Sequence, residues 1–202
     1  MNKTKIIRGP LHPIHDVYKG VFNSYSHQTI DLNEPTAEMI NINDVAMGLN
    51  NICRFGGQIP EFYSVLQHSL LVYALAPKEL GAVALLHDAS EAYLGDVIKP
   101  LKVILDTKYT DIEDDFTAAI FNRFYVDIKL MPKIKQYDKQ ALEIEHDYFF
   151  NLRPSPLKNI LAMFEPAEAK GSMFYPLMKV DWIKIFTDLV WQNCPGAFKM
   201  EA

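Results

Sequence analysis

Residues 83–102 read VALLHDASEAYLGDVIKPLK. An apolar run at helical spacing breaks there into His87-Asp88, Glu91 and Asp96. Singly, each group suits a solvated helix end. Together, beside Val83, Leu85 and Leu86, they point to a ligand site, because buried charge without a partner is costly.

The flanking segments read as helices. An Asn or Asp cap near Asn43 precedes Val45, Ala46, Leu49 and Ile52, and Gly56-Gly57 ends that run. Ser64 opens a second helix with Gln67 in capping-box position, and Val65, Leu66, Leu70, Leu71 and Leu75 follow at core spacing. Pro77 ends it and suits the first turn of a third helix, expected over residues 78–93. Further helices are expected over 111–125, 132–152 and 179–192, with loops at KPLK, VDIKLMP and PSPLKN.

The first forty residues differ: Pro10, Pro13, Gly20 and Pro35 punctuate them, and YSHQTIDL alternates as a short edge strand or hairpin would. The expected fold is all-α, a helical bundle with a short, irregular or β-containing N-terminal segment. A single domain is expected over 1–202, with an arm at 1–40 and a helical core at 41–192.

With 49% hydrophobic residues the chain can bury a sizeable core, and a net charge of -5 argues against non-specific binding to a nucleic acid polymer. No run approaches the roughly 18 apolar residues of a membrane span. The opening MNKTKIIRGPLHPIHD lacks the apolar stretch of a secretory signal, so a cytoplasmic location and no membrane partner are expected. Cys53 and Cys194 have no CxxC spacing and read as ordinary reduced residues.

Spacing brings two histidines together. His68 lies nine residues before Pro77 and His87 ten after it, so an antiparallel helix pair turning near Pro77 sets them at one level. Glu91 is four residues beyond His87 and three beyond Asp88, on or beside the same face. Gly95 then lets the chain turn Asp96 back toward that face. A divalent cation would compensate such a cluster.

His68, His87-Asp88 and a distant aspartate, best matched by Asp138 in IKQYDKQALEIE, resemble the signature of the HD-domain metal-dependent phosphohydrolases, which are helical bundles. ICRFGG, FYSVLQHSLLV, ALLHDASEAYLGDVIKPLK and KQYDKQALEIE follow in the order and spacing of the HD-domain deoxynucleotide phosphohydrolases. That group includes bacterial 5′-deoxynucleotidases and phage or prophage proteins, some of them dATP triphosphohydrolases. The resemblance covers residues 25–146 and weakens through FEPAEAKGSMFYPL. Ile98-Lys99 stands before Pro100 where relatives often carry another proline.

The resemblance implies that His68, His87, Asp88 and Asp138 hold a metal. Two nitrogen and two oxygen donors leave open positions and suit Mn, Co, Ni, Fe or Mg better than a closed structural zinc site. It implies that Glu91 orients or deprotonates water and that Asp96 assists it. Arg54 would contact the nucleotide, Phe55 would pack on its base or sugar, and Gly56-Gly57 would let the backbone approach. Lys102 and Lys135 match positions at which relatives place a polyphosphate. If both face the metal, a triphosphate is easier to hold than a monophosphate.

The expected activity is therefore metal-dependent hydrolysis of 2′-deoxyribonucleotide phosphates, favoured as dNTP triphosphohydrolysis with dATP as first candidate. A 5′-deoxynucleotidase, a cyclic or alarmone nucleotide phosphodiesterase, and a non-catalytic nucleotide- or partner-binding protein are the alternatives. Homo-oligomers are common among the relatives.

Other groups read as structural. Pro13 breaks the helix that would align His12 with His15. His146-Asp147 lies eight residues beyond Asp138 and reads as a helix-surface pair. Asp111, Glu113, Asp114 and Asp115 suit the start of a helix.

Overall fold

The computed structural model describes residues 20–105, 107–165 and 181–197. His12, His15, Pro10, Pro13, Lys179 and residues 166–177 of the FEPAEAKGSMFYPL stretch lie outside the described residues. Two short strands come first, β1 (Val21–Asn23) and β2 (Thr29–Asp31), paired antiparallel with Phe22 opposite Ile30. This is the expected hairpin. Asp44 staples it to the next helix, accepting from Ser26 N at 2.6 Å and from Ser26 Oγ at 2.8 Å.

The rest is predominantly helical. Helix α1 (Ile42–Asn51) is capped by Asn41, whose side chain accepts from Asn43 N. A 3-10 turn at Arg54–Gly57 leads to α2 (Val65–Leu75), which opens with the expected Ser64–Gln67 capping box. Helix α2 is buried around most of its circumference, through Val65, Leu66, His68, Ser69, Leu70, Leu71 and Val72. Such a helix belongs at the centre of a bundle.

The expected third helix is broken. A 3-10 turn (Lys78–Leu80) precedes α3 (Gly81–Leu86), and α4 (Glu91–Leu94) begins only after a tightened segment at residues 87–90. The cause is local. His87 Nδ1 donates to the carbonyl of Ala84 at 2.8 Å, and the following amides bond three residues back: Ala89 to Leu86, Glu91 to Asp88, Ala92 to Ala89. Three residues per turn replace 3.6, and His87 and Asp88 stand on the break.

KPLK is helix rather than loop, within α5 (Lys99–Leu105), since Pro100 falls in the first turn where no intrahelical donor is lost. Helix α6 (Thr107–Arg123) starts before the expected Asp111. In VDIKLMP, a 3-10 turn (Ile128–Leu130) capped by Asp127 leads into α7 (Met131–Phe149), with Pro132 again in a first turn. PSPLKN likewise contains the start of α8 (Leu157–Leu161). Asp181 caps α9 (Trp182–Asn193) by accepting from Lys184 N.

One hydrophobic cluster unites these helices, with α1, α3, α7, α8 and α9 all packed on α2 and with Phe116, Ile120, Phe121 and Phe124 supplied from residues 116–124. Helix α1 also packs on α4 so closely that Gly48 faces Ala92 with no room for a side chain. No helix among the described residues is long and apolar enough to cross a membrane.

Candidate metal centre

Three elements converge on one point. Helix α2 supplies His68, which has 0% exposure; the tightened turn before α4 supplies His87 and Asp88; helix α7 supplies Asp138. The Nε2 atoms of His68 and His87 lie 3.3 Å apart. Asp138 Oδ1 is 3.2 Å from His68 Nε2 and 4.0 Å from His87 Nε2, and Asp88 Oδ2 is 3.5 Å and 3.2 Å from the same two nitrogens.

These spacings fit a shared cation. Donors about 2.1 Å from a metal are about 3.0 Å apart at right angles and about 3.4 Å apart at tetrahedral angles. His68, His87 and Asp138 each offer one atom within 4.8 Å of the others. The imidazoles are also oriented from behind. His87 Nδ1 faces the Ala84 carbonyl, which only accepts, and His68 Nδ1 lies 2.6 Å from Glu145 Oε1. With both Nδ1 atoms engaged, the two Nε2 atoms are the donors left for a metal.

The protein's own charges fix the ionisation of the cluster. Burial pushes the Asp88 carboxyl up, but His87, His68 and Arg54 outweigh it and hold Asp88 well below the usual carboxylate range. Burial likewise opposes ionisation of Asp138, and the hydrogen bond and charge of His68 reverse it. For His68, burial and Arg54 disfavour the charged ring, while Glu145 and Asp138 favour it and prevail, raising its pKa to about 9.

The cluster opens into a cavity of about 530 Å³ whose lining includes Arg54, Phe55, Asp88, Glu91, Asp96, Lys102 and Asp138. Glu91, 6% exposed, has its Oε2 buried without a protein partner. Burial, then the charges of Asp88 and Asp96, raise its pKa to about 9 despite Lys102 and Arg54. Asp96 is delivered to the same wall by the turn at Gly95 (φ 83) and is raised, chiefly by burial.

Arg54 is 9% exposed and lies between two carboxylates, with Nη2 3.3 Å from Glu145 Oε2 and Nη1 3.6 Å from Asp88 Oδ2. Burial works against its charge, but the carboxylates of Glu145 and Asp88 outweigh it and hold the guanidinium more firmly protonated than usual. Its Nε is buried without a protein partner. Phe55 follows in the left-handed region (φ 58), continued by Gly56 (φ 61) and Gly57 (φ 73). Its ring meets His146 and Phe150 edge-on at 5.6 Å and 5.2 Å.

The two lysines part company. Lys102 lines the cavity but donates to Glu113 Oε1 at 2.6 Å and lies 3.7 Å from Glu91 Oε1. Glu113 therefore reaches a site residue, beyond its expected part at a helix start. Lys135 is exposed and lies outside the cavity lining. His146 is exposed on α7, as expected of a surface pair, yet it is among the residues that line the cavity, with Leu142.

Sequence reasoning missed Glu145 and Tyr63. Glu145 is 0% exposed and accepts from His68, from Arg54, and from the Tyr63 hydroxyl at 2.9 Å. Burial opposes its charge, but His68 and Arg54 lower its pKa below the ordinary value. A signal exists in the spacing. Ile134, Asp138, Ala141, Glu145 and Phe149 recur at three or four residues along α7, so two acids stand within an otherwise apolar stripe.

No protein-family model matches the chain. It is similar to the uncharacterized protein YfdR of Escherichia coli K12, 41% identical over 104 residues that make up 52% of this chain and 58% of that protein. It is also similar to an uncharacterized protein of Rhodobacter capsulatus, 40% identical over 125 residues, 57% of this chain and 64% of the relative. The chain thus spans less than two thirds of the length of these curated relatives.

Proposed function

We propose that the protein is a divalent-metal-dependent phosphohydrolase of 2′-deoxyribonucleotides. The observation that carries the reading is the convergence of two back-anchored imidazoles with Asp88 and Asp138, the two aspartates lining a cavity that Arg54 and Lys102 also line. His68, His87, Asp88 and Asp138 would hold the cation. When bound, it supplies Lewis acidity toward a phosphoryl oxygen and makes water easier to deprotonate.

The remaining roles belong to the chain's own groups. Arg54, permanently charged and held between Glu145 and Asp88, lines the cavity and places positive charge beside a bound phosphate. Glu91 lines the cavity and, with its pKa raised to about 9, holds a proton at neutral pH that it can give to a reacting oxygen. Asp96 stands on the same wall as a second proton carrier. Phe55, backed by Phe150, offers an aromatic edge to a base or sugar. The deoxynucleotide preference follows from the family resemblance.

A dNTP was the expected substrate because two lysines matched polyphosphate positions. Lys135 lies outside the cavity lining and Lys102 is engaged by Glu113 and Glu91, so a deoxynucleoside monophosphate is better supported. A panel of dNMPs, dNTPs, ribonucleotides, cyclic nucleotides and guanosine polyphosphates, assayed with Mn²⁺ or Co²⁺ by chromatography of products, tests both readings. Free phosphate and deoxynucleoside from a dNMP supports the first. Triphosphate released from dATP favours the dNTP reading, and no turnover of any compound refutes the enzyme.

A further inference from the structure

Glu145 is a carboxylate sealed inside the bundle, on the α7 face that packs against α2, and a stability role alone does not explain it. Buried ion pairs contribute little net stability relative to apolar residues of the same volume. An apolar side chain would continue the stripe of Ile134, Ala141 and Phe149. Instead the carboxylate receives three donors from three places: Tyr63 just before α2, His68 within α2, and Arg54 in the turn after α1.

The donors decide the direction of each bond. Arg54 Nη2–H can only give to Glu145, and with that permanent charge beside it the carboxylate is ionised and has no proton to offer, so Tyr63 O–H and His68 Nδ1–H both donate to it. A neutral His68 then has a single tautomer, with its lone pair on Nε2, the atom that faces His87, Asp88 and Asp138. The other oxygen, Oε2, holds the guanidinium that also reaches Asp88.

Resting on the metal-centre reading above, we infer that Glu145 is the positioning residue of the site: it fixes the tautomer and ring plane of His68 and anchors Arg54 beside the same cluster. One side chain thereby sets both a metal ligand and the phosphate-facing charge. Partners behind metal-bound histidines change metal affinity by about 10- to 100-fold when lost.

The test is Co²⁺ titration of the full chain, wild type and Glu145→Gln, read by visible absorption and by the exchangeable, paramagnetically shifted N–H signals of the coordinated imidazoles. Glu145→Gln keeps size and one acceptor but loses the charge. It is expected to bind Co²⁺ about 10- to 100-fold more weakly, with one of two imidazole N–H signals shifted or exchanging faster. A general packing role would lower the melting temperature without moving that signal. Equal Co²⁺ affinity and an unchanged signal overturn the positioning role while leaving the metal centre standing. A wild-type chain that takes up no Co²⁺ overturns the metal centre, and this role with it. Should Glu145→Gln lose cooperative unfolding, Glu145→Asp gives the same measurement: about tenfold weaker binding is expected, and unchanged binding overturns the role.

Discussion

Replacing Gly48 with alanine sets helix propensity against packing, and the two predict opposite signs. In an exposed helix the change stabilises by about 1 kcal/mol, through lower chain entropy and better propensity. In α1, however, an added Cβ would sit 2.6 Å from the Ala92 carbonyl oxygen and 2.8 Å from Ala92 Cα and Cβ. Ordinary contact begins near 3.4 Å, so α1 and α4 must separate by several tenths of an ångström. Overpacking of this kind costs about 1–3 kcal/mol, and more when backbone rather than a flexible side chain must move. The net expectation is a loss of about 1–2 kcal/mol, or about 2–8 °C in melting temperature for a chain of this size. Ala92 follows Glu91, so the same displacement should lower kcat against the best substrate of the panel. Thermal and urea unfolding measure the first effect and steady-state kinetics the second. A Gly48→Ala chain that melts above wild type refutes the close α1–α4 contact.

Four further outcomes can be measured. Asp88→Ala is expected to lose at least about 100-fold in divalent-cation affinity and in turnover; equal cation binding by isothermal titration would remove Asp88 from the ligand set. Tyr63→Phe deprives a buried carboxylate of one donor and should cost about 1.5–3 kcal/mol in urea unfolding, whereas a loss under 0.5 kcal/mol would mean that the Glu145 contact contributes little. In chelator, stability should fall as pH rises from about 6.5 to 9: His68 has its pKa raised to about 9, so its contribution is complete below the unfolded value and is lost through that window. Glu91, also raised to about 9, ionises in the unfolded chain from about 4.5 upward while staying protonated in the fold, which adds to the same decline. Glu91→Gln should flatten part of that slope and melt above wild type at pH 8; an unchanged slope by scanning calorimetry would argue against a buried neutral Glu91.

Where local chemistry was self-contained, the sequence told it. The Ser64–Gln67 box, the stop near Pro77 and the hairpin around YSHQTIDL need only a few neighbouring residues to form. The level match of His68 and His87 survived because rise per residue is geometry, even though the third helix is broken between α3 and α4. That break was hidden because it depends on a side chain: His87 takes the Ala84 carbonyl, an exchange that no periodicity reports. KPLK and PSPLKN were misread as loops because proline in a first turn looks the same in one-letter code as proline that ends a helix. Glu145 escaped because its meaning comes from partners 77, 82 and 91 residues away, although its place in the α7 stripe was visible. The lysines show the converse. Matching positions said nothing of Glu113, which stands 11 residues along the chain from Lys102 and binds it.

The left-handed run at Phe55, Gly56 and Gly57 sets a conflict that any stabilisation campaign will meet. A non-glycine residue in that conformation costs about 1–2 kcal/mol, and phenylalanine lacks the short polar side chain that eases it for asparagine. Selection for heat resistance alone should therefore favour glycine or asparagine at position 55, much as glycine already fills positions 56 and 57. The same exchange would remove the aromatic wall of the cavity. Libraries enriched for melting temperature and libraries enriched for turnover should diverge first at this residue, which makes the frequency of Phe55 among survivors a direct record of which property was selected.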